Sequence, residues 1–201
     1  ETSWFRDRSP FECLEKTVFP EMEQDGKRQC RIWSSACSSG QEPYTISITA
    51  SEYVKSVTTS SLNNTQIIAT DISASMLVEA KHAEYDESIL GRGLSSERKL
   101  QFFKANGDRW QVVDDIKRRV SFREQNLLSS YSSLGKFDII FCRNVLIYFS
   151  PDRKSDILNR MAKSLTPKGY LFLGASETIT GYSDAFDMVR SPQGVYYRLK
   201  D

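Results

Sequence analysis

The chain has 201 residues, of which 39% are hydrophobic and 26% charged, and its formal net charge is +1. This length suits one domain, or one domain with a small appendage, and is enough to bury a sizeable core. The nearly neutral charge gives no sign of a nucleic-acid partner, and without an apolar run of roughly 18 residues no membrane insertion is expected. One histidine, His82, and four cysteines without Cys-x-x-Cys spacing predict no metal site and a reducing, cytoplasmic location.

The first predicted helix covers residues 10–22, with Ser9 as its N-cap and Pro10 at its first position. Residues 31–36 follow as the first strand, which ends in a turn of small residues. The next segment, residues 44–54, alternates in part like a strand. The proline before it and the expected alternation of strands and helices favour a helix instead.

A second strand is predicted at residues 66–70 and a helix at residues 73–83. Further along, Asn106 and Gly107 separate two short strand-like runs, and this dipeptide is the strongest short-range signal for a β-hairpin. The hairpin interrupts the alternation of strands and helices. A small antiparallel β-subdomain is therefore predicted at about residues 100–119, inserted into the main sheet.

Residues 137–149 are the most informative stretch of the chain. They begin with a short apolar run, residues 137–142, which is typical of a strand buried on both faces. Arg143 and Asn144 follow where that strand ends, and a second apolar run carries the phenol of Tyr148. Ligands of open α/β sheets bind outside the carboxyl ends of the strands, so these three side chains are predicted to lie in a binding site.

The remaining segments complete the pattern of alternating elements. A strand is predicted at residues 120–126, and a helix begins at Pro151. A turn at residues 166–169 precedes a strand at residues 170–174, and a hairpin at residues 187–199 ends the chain. Together these elements predict a doubly wound α/β sheet with a terminal hairpin.

The strand ends also point to a cofactor. Asp71 follows the second strand, where an acid accepts hydrogen bonds from ribose hydroxyls in dinucleotide folds. The first turn contains only Gly40 and lacks the Gly-x-Gly-x-x-Gly that a pyrophosphate requires. A ribose-bearing cofactor without phosphates fits better, and S-adenosylmethionine is the obvious candidate, with Glu42 and the turn amides as partners of its methionine end. Alternatively, Asp71 is a helix N-cap and Glu42 is an acid favoured by a helix dipole.

Five segments together resemble one family: residues 2–7, 31–44, 69–72, 141–149 and 173–177. They resemble, in order, the CheR family of chemoreceptor glutamate methyltransferases, and the Cys-Arg-Asn-Val-x-Ile-Tyr-Phe string in the fourth segment is highly specific to it. The resemblance covers essentially the whole chain. It implies a Rossmann-like class I fold, S-adenosylmethionine as cofactor without a metal, and S-adenosylhomocysteine as product. The implied substrates are glutamates in the cytoplasmic domain of a methyl-accepting chemoreceptor, methylated during sensory adaptation.

The resemblance also implies roles for individual residues. Arg6 and Tyr148 would be catalytic, with Tyr148 facing the methyl group. Asp71 would hold the ribose, and Asn126 and Leu127 would flank the adenine. The full set implied to bind the cofactor is Thr2, Arg6, Cys37, Glu42, Asp71, Asn126, Leu127, Arg143 and Asn144.

Three departures from the family pattern bear on these expectations. Residues 1–8 would be a linker from a missing N-terminal helical domain, and residues 9–201 the catalytic domain. Ala175 stands where the family often has histidine, so no role is transferred to that position. The loop at residues 105–109 is shorter than the glycine-rich loop of members that bind a receptor's C-terminal pentapeptide, so this tether is not expected.

Other functions stay open on the residues alone. One is a methyltransferase of the same fold that acts on a small molecule. Another is a non-catalytic module that binds S-adenosylhomocysteine and regulates a partner, although the presence of Arg6 and Tyr148 favours catalysis. A nicotinamide dehydrogenase is disfavoured because the phosphate-binding loop is missing.

Overall fold

The computed structural model describes residues 2–201, whose ten strands form two sheets. The strands are β1 (Gln29–Ser35), β2 (Asn64–Asp71), β3 (Glu84–Asp86), β4 (Phe103–Asn106), β5 (Arg109–Val112), β6 (Val120–Glu124), β7 (Phe137–Cys142), β8 (Leu165–Leu173), β9 (Phe186–Ser191) and β10 (Gly194–Leu199). Seven strands form one sheet in the order β6-β2-β1-β7-β8-β10-β9, and the order β3-β5-β4 makes a smaller antiparallel sheet.

The large sheet is doubly wound. Strands β6, β2, β1, β7 and β8 are parallel, and β10 runs antiparallel to both β8 and β9. The chain builds outward from β1 through β2 and β6, and then on the other side through β7 and β8. The strand order therefore reverses between β1 and β7, where such sheets bind ligands. This topology confirms the predicted α/β fold with its terminal hairpin.

Eight α-helices are present within residues 2–201: α1 (Ser9–Cys13), α2 (Phe19–Gln24), α3 (Gln41–Ser56), α4 (Ala74–His82), α5 (Glu87–Leu90), α6 (Ser96–Phe102), α7 (Asp114–Lys117) and α8 (Pro151–Ser164). A π-helical turn, Leu14–Val18, joins α1 and α2, which confirms the helix predicted at residues 10–22. The segment at residues 44–54, which alternates in part like a strand, is helical and belongs to α3. Its apolar residues do not follow a clear helical period because nearly all of its surface is buried.

Several boundaries differ from the sequence prediction. Ser9 is the first residue of α1 rather than its N-cap, since its hydroxyl donates to the carbonyl oxygen of Gln193 (2.8 Å). The turn predicted at residues 166–169 lies inside β8, where the register with β7 shifts. Strand β6 ends at Glu124, so Asn126 lies in the following loop.

The predicted hairpin exists as β4 and β5, but β5 also pairs with β3, which lies outside the predicted range. A strand of three residues is too short for a period-2 pattern to reveal. The hydroxyl of Tyr85 in β3 donates to the carbonyl oxygen of Ser39 (2.7 Å). Gly40 follows at a φ of 97°, and a Cβ there would lie 3.0 Å from the same hydroxyl. The small sheet thus supports the turn after β1.

The first residues of the described chain pack on the core. Trp4 and Phe5 are 1% and 6% exposed. The Trp4 ring meets the rings of Tyr85 and Phe103 edge-on at 5.0 and 5.2 Å, and its backbone N–H donates to the carbonyl oxygen of Arg92 (3.0 Å). The segment predicted as a linker is therefore held against the small sheet, next to the carboxyl ends of the main strands.

Candidate active site

A cleft of about 310 Å³ opens at the carboxyl ends of β1 and β7, at the point where the strand order reverses. It is lined by seven of the ten site residues predicted from the sequence: Thr2, Arg6, Cys37, Glu42, Arg143, Asn144 and Tyr148. A larger cleft, of about 490 Å³, lies beside α1 and α6 and contains none of the ten. The smaller cleft is therefore the candidate active site.

Arg143 is the central charge of this cleft, and its side chain is only 1% exposed. Its Nη2 donates to Asp7 Oδ2 (2.7 Å) and to the carbonyl oxygen of Arg6 (2.8 Å). Its Nη1 donates to Glu42 Oε2 (3.1 Å). A buried guanidinium needs such partners because the unpaired charge would be costly. The end of β7 is thereby bonded to the N-terminal segment and to the first turn of α3.

Glu42 completes this buried ion group. Its Oε1 accepts a hydrogen bond from the hydroxyl of Ser34 in β1 (2.8 Å). Burial raises the pKa of the Glu42 carboxyl, and the charges of Arg143 and Arg6 oppose that rise. The two positive charges thus favour an ionised carboxylate inside the cleft.

The loop after β7 is fixed by Glu177, a residue to which the sequence analysis gave no role. Its Oε2 accepts from the backbone N–H groups of Asn144 (2.7 Å) and Gly174 (2.8 Å). Its Oε1 accepts from the N–H groups of Val145 (2.9 Å) and Leu146 (2.8 Å). One carboxylate therefore holds the start of the loop that carries Arg143, Asn144 and Tyr148. Its place within the family-like segment 173–177 was the only signal for it.

The backbone around the cleft is unusually strained. Six of the eight non-glycine residues with positive φ within residues 2–201 lie there: Phe5, Asp7, Arg8, Ala36, Ser38 and Asn144. Such conformations persist only where surrounding contacts enforce them, and they cluster at functional sites. They direct the N-terminal segment, the turn after β1 and the loop after β7 toward one cleft.

Asp71 lies beside the cleft rather than in its lining. Its Oδ2 accepts from the backbone N–H of Ser38 (2.8 Å), which lines the cleft, and its Oδ1 accepts from the N–H of Ser73 (2.9 Å). The N-cap of α4 is Ser73, whose hydroxyl accepts from the N–H of Met76 (3.3 Å). The alternative reading of Asp71 as the N-cap is therefore wrong. Each carboxylate oxygen retains a lone pair for a further donor.

Asn126 and Leu127 lie in the loop after β6, next to Asp71 and outside the cleft lining. The backbone N–H of Gln125 donates to the carbonyl oxygen of Asp71 (3.0 Å), which joins this loop to the end of β2. Leu127 is 7% exposed and packs in the core, whereas Asn126 is exposed and accepts from the N–H of Leu128 (2.9 Å). The structure thus places the ten residues in two neighbouring groups.

The two residues implied as catalytic both line the cleft. Arg6 is half-buried, and its charge acts on Glu42. Tyr148 closes a 3₁₀ turn, Leu146–Tyr148, and is 78% exposed at the mouth of the cleft. Both side chains can therefore meet a substrate that arrives from solvent.

The cysteines are buried and form no disulfide among residues 2–201. Burial raises the pKa of the Cys37 thiol at the cleft, so it stays protonated at neutral pH and is a poor nucleophile. The described part of the chain has no group of three His, Cys, Asp or Glu side chains that could hold a metal ion. Nor does it contain a helix both long and apolar enough to cross a membrane.

The sequence matches a known family over nearly its whole length. The family described as "CheR methyltransferase, SAM binding domain" matches residues 1–195. Over 201 residues the chain is 57% identical to "Chemotaxis protein methyltransferase 1" of Vibrio cholerae, covering all of this chain and 72% of that protein. It is 52% identical over 202 residues to "Chemotaxis protein methyltransferase 1" of Pseudomonas aeruginosa, covering all of this chain and 74% of the relative.

A solved structure shares the fold. It is the magnesium protoporphyrin IX methyltransferase (ChlM) of Synechocystis with bound S-adenosylmethionine, with a TM-score of 0.50 and 14% sequence identity. The superposition covers 96% of this chain and 81% of the other. At this identity the likeness concerns the fold alone, and it confirms the predicted class I methyltransferase sheet.

Proposed function

The chain belongs to the CheR methyltransferase family, and on that premise we propose that it methylates glutamate side chains of chemoreceptors. S-Adenosylmethionine would be the methyl donor, and glutamate methyl esters and S-adenosylhomocysteine the products. The observation that supports this best is the cleft at the reversal point of the sheet, where three segments bring Arg6, Glu42, Arg143 and Tyr148 together. The names of the relatives from Vibrio and Pseudomonas support a chemotaxis substrate.

The partner would be the cytoplasmic domain of a methyl-accepting chemoreceptor, and the protein would act in the cytoplasm. We do not expect a tether to a receptor's C-terminal pentapeptide, because β4 and β5 are joined by only two residues, Gly107 and Asp108. We expect neither a nucleic-acid partner nor membrane insertion.

The residues present fit the cofactor. Glu42 would accept a hydrogen bond from the ammonium group of the cofactor. Each carboxylate oxygen of Asp71 already accepts from one backbone amide and would accept a further hydrogen bond from a ribose hydroxyl. The buried Nε of Arg143 has no hydrogen-bond partner among residues 2–201, which leaves one donor for an anionic group such as the carboxylate. Asn126 and Leu127 would flank the adenine, and Thr2, Cys37 and Asn144 would border the methionine part.

The proposed reaction requires no proton transfer by the protein. When bound, the cofactor supplies a methyl group activated on a sulfonium. A free glutamate has a pKa of about 4.3, so the nucleophile is already ionised at neutral pH and needs no general base. The protein must align the carboxylate and exclude water, and alignment can contribute on the order of 7–11 kcal/mol to lowering the barrier.

Arg6 and Tyr148 would provide that alignment. The guanidinium of Arg6 would orient the glutamate carboxylate through a bidentate pair, and the phenol of Tyr148 would fix the approach of the methyl group. Too strong a pair would stabilise the ground state, so Arg6 is assigned to positioning. In Arg6→Ala, activity should fall more than cofactor affinity. In Tyr148→Phe, turnover should fall while cofactor affinity is retained, and unchanged turnover would remove Tyr148 from the chemistry.

The decisive experiment incubates the protein with S-adenosylmethionine carrying a labelled methyl group and a purified chemoreceptor cytoplasmic fragment. Mass spectrometry of the fragment should find the label as base-labile methyl esters on glutamate. Tight binding of S-adenosylhomocysteine without any ester would favour the non-catalytic module. Turnover of the cofactor with a small acceptor, without label on the fragment, would favour a small-molecule methyltransferase.

A further inference from the structure

The terminal hairpin presents apolar side chains on both of its faces. Across β9 and β10, Met188 is paired with Tyr197 and Arg190 with Val195. Because side chains alternate along a strand, these four share one face, and the intervening residues face the core on the other side. On the shared face, Met188 and Val195 are 44% and 40% exposed. Binding sites are typically concave and lined largely by apolar side chains, so it matters whether this face borders a cavity.

Such a cavity is present. The four side chains line one wall of a space of about 330 Å³, which we call the hairpin cavity. Its other wall comes from the start of the chain and from the end of β8, including Asp7, Pro10 and Glu177.

Only one layer of side chains separates the hairpin cavity from the candidate active site. Asp7 lines the hairpin cavity and bonds to Arg143, which lines the cleft (2.7 Å). Glu177 lines the hairpin cavity and accepts from the N–H of Asn144, which lines the cleft (2.7 Å). A polypeptide that places a glutamate in the cleft can therefore also reach the hairpin cavity.

The exposed apolar residues are concentrated at these two cavities. Eight large hydrophobic side chains are exposed within residues 2–201, and four border the pair: Ile147 and Tyr148 at the cleft, Met188 and Val195 at the hairpin cavity. Half of the exposed large apolar side chains thus lie on either side of the layer that contains Asp7 and Glu177. This arrangement suits a partner that covers both cavities at once.

Arg190 adds a charge to this surface. It is exposed, and its guanidinium forms no hydrogen bond or ion pair with any residue in the range 2–201. Two acids line the same cavity and both already have partners: Asp7 is bonded to Arg143, and Glu177 accepts from backbone amides. A cation next to two apolar side chains is complementary to a segment that carries both a carboxylate and an apolar residue.

We propose that the hairpin cavity is a substrate subsite that binds the receptor segment next to the methylated glutamate. It takes an apolar side chain against Met188 and Val195 and a carboxylate against Arg190. In a helical segment, residues three or four positions apart lie about 5–6 Å from each other on one face, so a helix can present two side chains to adjoining cavities. This inference rests on the proposed function and adds how the glutamate to be methylated is selected.

The test compares variants of the subsite with matched variants elsewhere. Met188→Gln with Val195→Thr makes the face polar at similar size, and Arg190→Glu reverses its charge. The controls are Leu100→Gln, an exposed apolar residue on α6, and Arg153→Glu, an exposed cation on α8. Methyl transfer to the receptor fragment is measured over a range of fragment concentrations, and cofactor affinity is measured by calorimetry.

Both subsite variants should raise KM for the fragment by about five- to tenfold, the loss typical of a contributing interface residue, with kcat and cofactor affinity unchanged. The effect of Arg190→Glu should shrink in high salt. The controls should match the unmodified protein.

Four results would overturn the subsite. If KM is unchanged while the unmodified protein methylates the fragment, the subsite is wrong and the proposed function stands. If cofactor affinity falls together with the rate, the hairpin supports the cleft instead. If sedimentation shows that the substitutions split a dimer, the face binds a second copy of the chain. A fragment that even the unmodified protein leaves unlabelled removes the proposed function and the subsite together.

Discussion

On the β1–β7 side of the candidate site, a buried guanidinium bonds two carboxylates from separate segments, and one carboxylate holds the backbone of the next loop. On the β2–β6 side, Asp71 bonds two backbone amides, and Asn126 is exposed and bonded within its own loop. The first side is thus built around a buried ion group, and the second around hydrogen bonds from backbone amides. Methyl transfer depends on position within fractions of an ångström, so rigidity is expected where the chemistry takes place. The β2–β6 side would only have to hold the adenosine.

Removing Arg143 should have the largest effect of these substitutions. A small effect would contradict the difference between the β1–β7 side and the β2–β6 side. In Arg143→Ala, buried Glu42 loses its ion-pair partner and keeps only the weaker effect of the Arg6 charge, so the free energy of unfolding should fall by about 3–5 kcal/mol. On the other side, Arg123→Ala removes an exposed cation of β6 and should change stability by less than about 0.5 kcal/mol. Urea unfolding measures both. Arg143→Lys, which keeps the charge, should lose less, and equal losses in the Ala variants at the two positions would contradict the difference between the sides.

The loop after β7 offers a second test. Glu177→Gln keeps the shape of the side chain but places an NH₂ group where one oxygen accepts from backbone amides. Hydrogen bonds to a charged group contribute about 1.5–3 kcal/mol. If this energy holds the loop in its catalytic position, its loss should lower kcat about ten- to hundredfold. If the effect acts through the position of Tyr148, the double variant with Tyr148→Phe should lose much less than the sum of the single losses.

A control for that variant lies on the β2–β6 side. Glu124→Gln at the exposed end of β6 should leave kcat unchanged. Strict additivity of Glu177→Gln with Tyr148→Phe would assign Glu177 to general stability instead of positioning.

On the β1–β7 side, the sequence predicted which residues lie at the cleft but not the contacts that hold them there. Arg143, Asn144 and Tyr148 could be identified because an apolar strand ends abruptly in polar residues. Glu177 could not, because an acid in a loop has no local pattern that shows it will accept from amides 31 to 33 residues away. Asp7 was missed for the same reason, since its bond to Arg143 spans 136 residues.

For the fold, periodic signals were sufficient wherever an element was long. The strands of the main sheet and the helices that cover it follow from apolar runs and caps. Strand β3 was missed because three residues carry no period, and residues 166–169 resemble a turn although they continue β8. Both features depend on the partner strand rather than on their own sequence.

Asp71 tests the proposed role of the β2–β6 side. If it holds the ribose, Asp71→Ala should weaken binding of S-adenosylmethionine and S-adenosylhomocysteine by about ten- to hundredfold, since hydrogen bonds to a charged group are lost. Asn126→Ala should have a smaller effect, because its side chain is exposed and bonded within its loop. Calorimetry on the two variants gives the comparison directly. Unchanged affinity in Asp71→Ala would move the ribose away from β2.

The smallest expected effect concerns the pH dependence of stability. Burial raises the pKa of Glu42 above its ordinary value of 4.5. The folded protein then binds this proton more tightly than the unfolded chain, so the carboxyl adds stability below pH 4.5 that is lost as pH rises through the raised pKa. Relative to Glu42→Gln, which does not titrate, the unmodified protein should become less stable as the pH rises through this window.

Glu87 provides a control of opposite sign. Its hydrogen bond with Lys99 lowers the pKa of this surface carboxyl, so its contribution is present above its ordinary pKa and is lost as the pH falls through the lowered value. Thermal unfolding of Glu42→Gln and Glu87→Gln against the unmodified protein, from acid to neutral pH, should give stability differences that change in opposite directions and in different pH ranges. Stability differences that change in the same direction would mean that the pKa of Glu42 is lowered, because the charge of Arg143 outweighs the burial.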